Sequence, residues 1–158
     1  MLQIAHSMAG LNFAQLMDVY IEGNLEKAAE GLGLLQVEQD FYQYLRYDFF
    51  KVPKAYYAIW QVNGAYVSAL RIEPYKDGVL LSGLETAPCH RRHGYAELLV
   101  KQVLSMEKKV YSHVSKQNLA SLGVHEKCGF RRISEQAKYI DGSVNSKCCT
   151  LCYENNGE

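Results

Sequence analysis

Residues 84–96, LETAPCHRRHGYA, carry the densest chemistry in the chain. An apolar strand pattern ends at Thr86, Pro88 breaks it, and Arg91-x-x-Gly94-x-Ala96 leads straight into a helical pattern. Gly94 and the small Ala96 let backbone approach a ligand closely. The first-turn N–H groups of such a helix lack intrahelical partners and lie at the positive end of its dipole. A pyrophosphate is the natural occupant of that position, with Arg91, Arg92 and His93 as further donors. A second stretch, VYSHVSKQNLASLGVHEKCGF (110–130), reads as a strand, Asn118 opening a helix, and then His125-Glu-Lys-Cys-Gly129-Phe130. Two other groupings hold metal-ligand residue types. Cys89-His90-x-x-His93 lies inside the proposed phosphate loop, where its side chains need not converge. Cys149-x-x-Cys152 sits on a strand whose alternation sends Cys149 to one face and Cys148 and Cys152 to the other. No metal is expected at either.

The elements that must position these residues follow from periodicity. MLQIAHS is short and weakly alternating, a first strand. Phe13, Leu16, Met17 and Tyr20 form the stripe of an amphipathic helix; Gly23 interrupts it, with another helical turn over 24–30 and a loop at 31–35. The helical pattern returns from Val37 to about Lys51, with Phe41, Tyr44, Leu45 and Phe49 on one stripe, and Pro53 ends it. The period then switches. Strands over 55–60 and 65–72 flank Asn63-Gly64, a type I′ hairpin signal. A turn at 73–78 precedes a third, more buried strand over 79–86, which completes an antiparallel meander. Tyr95, Leu98, Leu99, Val103 and Met106 predict a helix of about 14 residues. A strand over 110–115 and a short helix from Asn118 follow, the latter stopped by Gly129. Residues 131–140 and 147–154 predict a last hairpin around Asp141-Gly142. The aromatic cluster from Phe41 to Trp60 (Tyr42, Tyr44, Tyr47, Phe49, Phe50, Tyr56 and Tyr57 among them) reads as core, with some rings bordering a ligand pocket.

Length and composition bound the rest. At 158 residues the chain is expected to be one α+β domain, 1–158. Apolar residues make up 48% and charged residues 22%, which excludes a disordered or fibrous chain. Seventeen basic residues balance seventeen acidic ones, so neither nucleic acid nor an anionic membrane is an expected partner. No apolar run reaches the ~20 residues that span a bilayer, and MLQIAHSMAG lacks the marks of a signal peptide. A cytoplasmic location is expected, with the five cysteines reduced.

RRHGYA (91–96) resembles the pyrophosphate loop of the GNAT N-acetyltransferase superfamily, Q/R-x-x-G-x-G/A. N-x-x-S-x-x-x-H-E-K-C-G-F (118–130) is similar to that family's second motif, and the order and spacing of the two also match. The resemblance covers about 60–158, while residues 1–54 correspond to the family's variable N-terminal helices and about 55–154 to its acetyl-CoA-binding core. It implies an α/β/α sandwich: a mixed, mostly antiparallel sheet with helices on both faces and two strands splayed apart around the cofactor.

The activity implied is transfer of an acetyl group from acetyl-CoA to a primary amine by direct attack, in a monomer or homodimer; an acyl-CoA-binding module without turnover is the alternative. By the same resemblance, Leu84, Glu85 and Thr86 pair with the pantetheine arm. Arg91, Arg92, His93, Gly94, Tyr95, Ala96 and Glu97 wrap the pyrophosphate, and Asn118 bonds the pantetheine. His125 stands where the family commonly has a tyrosine that protonates the departing thiolate. A histidine suits that task, its ordinary pKa of about 6.5 lying below that of a thiol. Glu85 or His113 is the expected general base. The acceptor, a small-molecule or peptide amine, is left open, since a fold does not fix a substrate.

Overall fold

The computed structural model describes residues 1–156. Seven strands form one sheet in the order β1-β2-β3-β4-β5-β9-β6. They are β1 (Leu2–Ala5), β2 (Tyr56–Val62), β3 (Ala65–Tyr75), β4 (Gly78–Thr86), β5 (Lys109–Ser115), β6 (Arg131–Ser134) and β9 (Cys148–Glu154). Only β4 and β5 pair in parallel; the other neighbours are antiparallel. A small ribbon of β7 (Ala137–Lys138) and β8 (Val144–Asn145) stands apart.

Helices cover both faces. α4 (Tyr95–Leu104) buries Leu99, Val100, Val103 and Leu104 against Leu70, Ile72, Leu81 and Val110. α5 (Leu119–Lys127) lies on the same side, with Leu122 and Val124 against that core. On the other face α1 (Phe13–Val19) and α3 (Leu34–Tyr47) set Leu16 and Leu45 on Tyr57, Ile59 and Ala69. Each such apolar side chain contributes about 1.5–3 kcal/mol on leaving water.

The β2–β3 hairpin turns at Asn63 (φ 51°) and Gly64 (φ 80°), both left-handed as a type I′ turn requires. Elsewhere the boundaries shift from expectation. β3 runs on through Pro74 to Tyr75, and the turn shrinks to Lys76-Asp77. α2 (Ile21–Lys27) contains Gly23, and the chain bends instead at Tyr20 and at Gly31 and Gly33, where φ is 114° and 75°. α3 begins at Leu34 and ends at Tyr47, before a separate 3-10 turn over Phe49–Lys51. α4 has ten residues and stops at Leu104, leaving Met106 beyond its cap. The expected last hairpin divides: β6 pairs with β9, and Asp141-Gly142 close only the β7–β8 ribbon.

The feature that makes a site is where β4 and β5 part. Their ladder holds Val79 to Val110, Leu80 to Tyr111 and Leu81 to Ser112, and goes no further. On its other edge β4 pairs Ser82 with Arg71 but Glu85 with Ala69, so β4 carries one residue too many opposite Leu70. Gly83, at φ 63°, absorbs that bulge. A bulge bends its strand and increases its twist. Residues 82–86 therefore swing away from β5, which stays with β9 as far as Ser115 and Cys148.

Candidate active site

A cleft of about 570 Å³ opens at this divergence. The C-terminal end of β4 (Leu84, Glu85, Thr86) forms one wall. Arg91, Arg92, Gly94, Tyr95, Ala96 and Glu97 form the next, and Asn118, Ala120, Ser121, Val124 and Lys127 close it from α5. Glu22 reaches it from α2 across the sheet. The cleft thus joins the α4–α5 face of the sheet to the α1–α3 face.

The start of α4 is built for an anion. Gly94 is its N-cap at φ 77°, with no side chain capping the helix. The first intrahelical bond runs from Leu98 N–H to the Gly94 carbonyl at 3.0 Å, so the N–H groups of Tyr95, Ala96 and Glu97 precede the ladder. Arg92, at φ 66°, adds a second left-handed residue to the loop. A Cβ at Gly94 would meet nothing within 4 Å, so the space before these N–H groups is open. That is the fit a pyrophosphate requires: free donors, a dipole and room.

Arg91 is engaged elsewhere. Its Nη1 donates to Glu22 Oε2 at 2.8 Å, its Nε to the Thr86 carbonyl at 3.3 Å, and its Nη2 lies 3.8 Å from Glu85 Oε2. It ties the loop before α4 to α2 and to the end of β4. His93 does not line the cleft; its ring stacks on Tyr95 at 5.6 Å, with Nδ1 3.1 Å from the His90 carbonyl. Glu97 pairs with Lys101 at 3.1 Å. Asn118 accepts a hydrogen bond from Ser121 N–H at 3.1 Å, capping α5 at the cleft wall. Burial pushes the Glu85 carboxyl above the usual carboxylate range; Arg91 opposes the shift, and Glu22 and Glu26 add to it.

Two histidines considered for proton transfer lie outside the cleft. His125 is 1% exposed. Its Nδ1 is 2.7 Å from the Ser121 carbonyl, so it carries the proton, and its Nε2 accepts from Ser112 Oγ at 2.9 Å. Both ring nitrogens are committed, and the ring packs edge-on to Phe130 at 4.8 Å. Burial holds its pKa below the ordinary value, the Ser121 carbonyl opposing. A buried neutral imidazole joining β5 to α5 is poorly placed to protonate a thiolate. His113 points the other way from β5, between the rings of Tyr75 and Tyr139 at 5.5 and 5.1 Å, with Nδ1 on Thr150 Oγ1 at 3.0 Å. Of the residues weighed for catalysis, Glu85 lines the cleft.

On the α1–α3 side the sequence singled out Tyr20 as part of a helical stripe and Tyr57 as part of the aromatic cluster with some rings bordering a ligand pocket, but not Arg71. Tyr20 donates to the Gly83 carbonyl and accepts from the Tyr57 hydroxyl at 2.6 Å. Arg71, beside them, donates from Nη1 to Tyr57 Oη at 3.2 Å. An arginine inside the otherwise apolar run AYVSALRI was the available signal. Ser121 and Lys127 stand in the N-x-x-S-x-x-x-H-E-K-C-G-F stretch (118–130), which was their signal, although no role was assigned to either.

Comparisons with known proteins agree with this geometry. The model of the Acetyltransferase (GNAT) family matches residues 23–130. PaiA N-acetyltransferase of Thermoplasma acidophilum, solved in complex with coenzyme A, superposes with a TM-score of 0.67 at 10% identity over 98% of this chain and 99% of that one. A GNAT family acetyltransferase of Bacillus cereus ATCC 10987 gives 0.64 at 17% identity over 98% of both chains. One from Elizabethkingia anophelis, with acetyl-CoA bound, gives 0.55 at 14% identity over 68% of this chain and 79% of that one. At such identities these likenesses show a shared fold. No curated protein matches the sequence. The family match spans more than half of the 158 residues and the solved folds concur, so the chain belongs to the GNAT acetyltransferase family.

Proposed function

We propose that this protein transfers an acetyl group from acetyl-CoA to a primary amine by direct attack on the thioester. The observation that carries the reading is the cleft at the β4–β5 divergence, with open N–H donors at the α4 start and a carboxylate, Glu85, on the β4 wall. Tyr95, Ala96 and Glu97 N–H groups bind the pyrophosphate, with the Arg92 and Lys127 side chains beside it. The pantetheine runs along the unpaired edge of residues 84–86, where backbone N–H can hold the thioester oxygen as charge develops. Glu85 takes a proton from the alkylammonium, directly or through a water, and frees the lone pair. A C–N bond forms and the C–S bond breaks. One of the two protons lost by the ammonium ends on the thiol and the other goes to solvent. His125 takes no part, so the first of these protons reaches the thiolate by way of water.

The test is release of free thiol from acetyl-CoA in the presence of a panel of amines. Amine-dependent release that falls in Glu85→Gln supports the reading. The buried His125 favours one alternative, a module that binds acyl-CoA without turnover. Tight CoA binding with no thiol released by any amine would decide for that alternative.

A further inference from the structure

The α1–α3 side of the bulge holds a cation with no anion. Arg71 lies half-buried on β3, opposite Tyr57 and Ser82 in the two ladders. Its guanidinium sits over the rings of Phe41, Tyr44 and Tyr57, 5.7, 5.6 and 5.9 Å from their centroids. It is packed so closely on the bulge that a Cβ on Gly83 would fall 2.7 Å from Nη1. Among the described residues no carboxylate lies within 4.0 Å of it, and its buried Nε has no hydrogen-bond partner. The acid that acts on it at longer range is Glu73, two residues along the same strand face.

A guanidinium withdrawn from water is costly unless an anion pairs with it. Three aromatic faces offset part of that cost, yet a planar fork with an unmet donor is shaped for a carboxylate. The geometry points to the missing partner being the substrate. Glu85 pairs with Ala69, and Arg71 is two residues further along β3, about 7 Å away at strand rise. Tyr20, bonded to the Gly83 carbonyl and to the Tyr57 hydroxyl that Arg71 also contacts, links the bulge to the guanidinium. Resting on the acetyl-transfer reading above, we infer that the acceptor is an amine that also carries a carboxylate, its nitrogen at Glu85 and its carboxylate on Arg71. A phosphate fits less well, because its second charge needs a second cation, whereas the guanidinium of Arg71 is bordered by the rings of Phe41, Tyr44 and Tyr57. One guanidinium matches one negative charge.

The experiment uses the full chain with acetyl-CoA, reading thiol release. The acceptors are the common L-amino acids and the straight-chain ω-amino acids from β-alanine to 5-aminopentanoate, each beside its carboxamide. The expected result is that at least one acid exceeds its amide by about 30-fold or more in kcat/KM, the scale of losing one partner of a buried charge pair. In Arg71→Gln the acid should drop to the level of its amide, and Arg71→Lys, which keeps charge without the fork, should fall between. A CoA-induced rise in Tm retained by both variants shows that they fold. Amides or simple alkylamines turned over as well as the acids by the parent protein would overturn the carboxylate requirement and leave acetyl transfer standing. Discrimination that persists in Arg71→Gln would also overturn it. No thiol released by any amine, with CoA still binding, would overturn the acetyl-transfer reading itself.

Discussion

Replacing His125 by alanine tests whether this residue is a strut or an acid. The ring is fully buried, bonded at both nitrogens and packed on Phe130. Removing a large buried side chain costs about 2–5 kcal/mol. Leaving the Ser112 hydroxyl and the Ser121 carbonyl without a partner adds to that, by about 1 kcal/mol or more each where water does not enter. For a chain of this length each kcal/mol moves Tm by about 2–4 °C, so His125→Ala should melt about 10 °C or more below the parent. The pH dependence has a definite sign. Burial lowers the folded-state pKa, so the unfolded chain, with a pKa of about 6.5, binds the proton first as pH falls. The stabilisation is complete above about pH 6.5 and declines below it. His113 is shifted downward by burial too, so the quantity to measure is the parent-minus-variant difference in urea unfolding from pH 8 to 5. That difference should shrink toward acid. A variant that melts with the parent, or one whose kcat/KM profile alone loses an alkaline limb, would refute the strut and restore the acid.

Other outcomes follow from the same geometry. Gly94→Glu should abolish the rise in Tm that CoA gives the parent, which linkage puts at about 2.7 kcal/mol at one hundred times Kd. Gly94→Ala, whose Cβ meets nothing within 4 Å, should lose about 1–2 kcal/mol to its left-handed backbone and keep the rise; the reverse pattern would show that no anion sits there. Glu85→Gln should lower kcat/KM about 100-fold and remove the acid limb of its pH profile. Because burial raises the Glu85 pKa, that limb should lie above the ordinary carboxylate value of about 4.3, and an unchanged profile in the variant would assign the base elsewhere. Asn118→Ala should cost about 1 kcal/mol through loss of the α5 cap. A fall in CoA affinity as well, by calorimetry, would add a direct pantetheine contact.

The sheet and the cleft wall were legible because their signals are local. Asn63-Gly64 can make one kind of turn, and a glycine opening a helix after a broken strand leaves donors facing outward wherever it occurs. Leu84 to Thr86, Gly94 to Glu97 and Asn118 meet at one cleft for that reason. Directions and partners were not legible. The roles weighed for His113 and His125 depended on which face of β5 each meets and on whether Ser112 and Ser121 would consume both nitrogens of His125. The partner of Arg91 in this structure, Glu22 of α2, is a contact 69 residues distant in sequence. The bulge at Gly83 is likewise a property of two strands in register; a glycine inside the 79–86 strand pattern was its one local sign. Helix ends moved because tertiary packing overrode the pattern: Gly23 stayed inside α2, and Met106 matched the α4 stripe yet lies past the cap.

A crystal structure with acetyl-CoA bound measures the central claim directly. The account expects the pyrophosphate on the N–H groups of Tyr95, Ala96 and Glu97 and the pantetheine in the gap between β4 and β5. The thioester should lie beside residues 84–86, with the Glu85 carboxylate facing it and His125 still buried. Acetyl-CoA seated away from that gap, or a thioester carbon out of reach of Glu85 and of any water it holds, would contradict it.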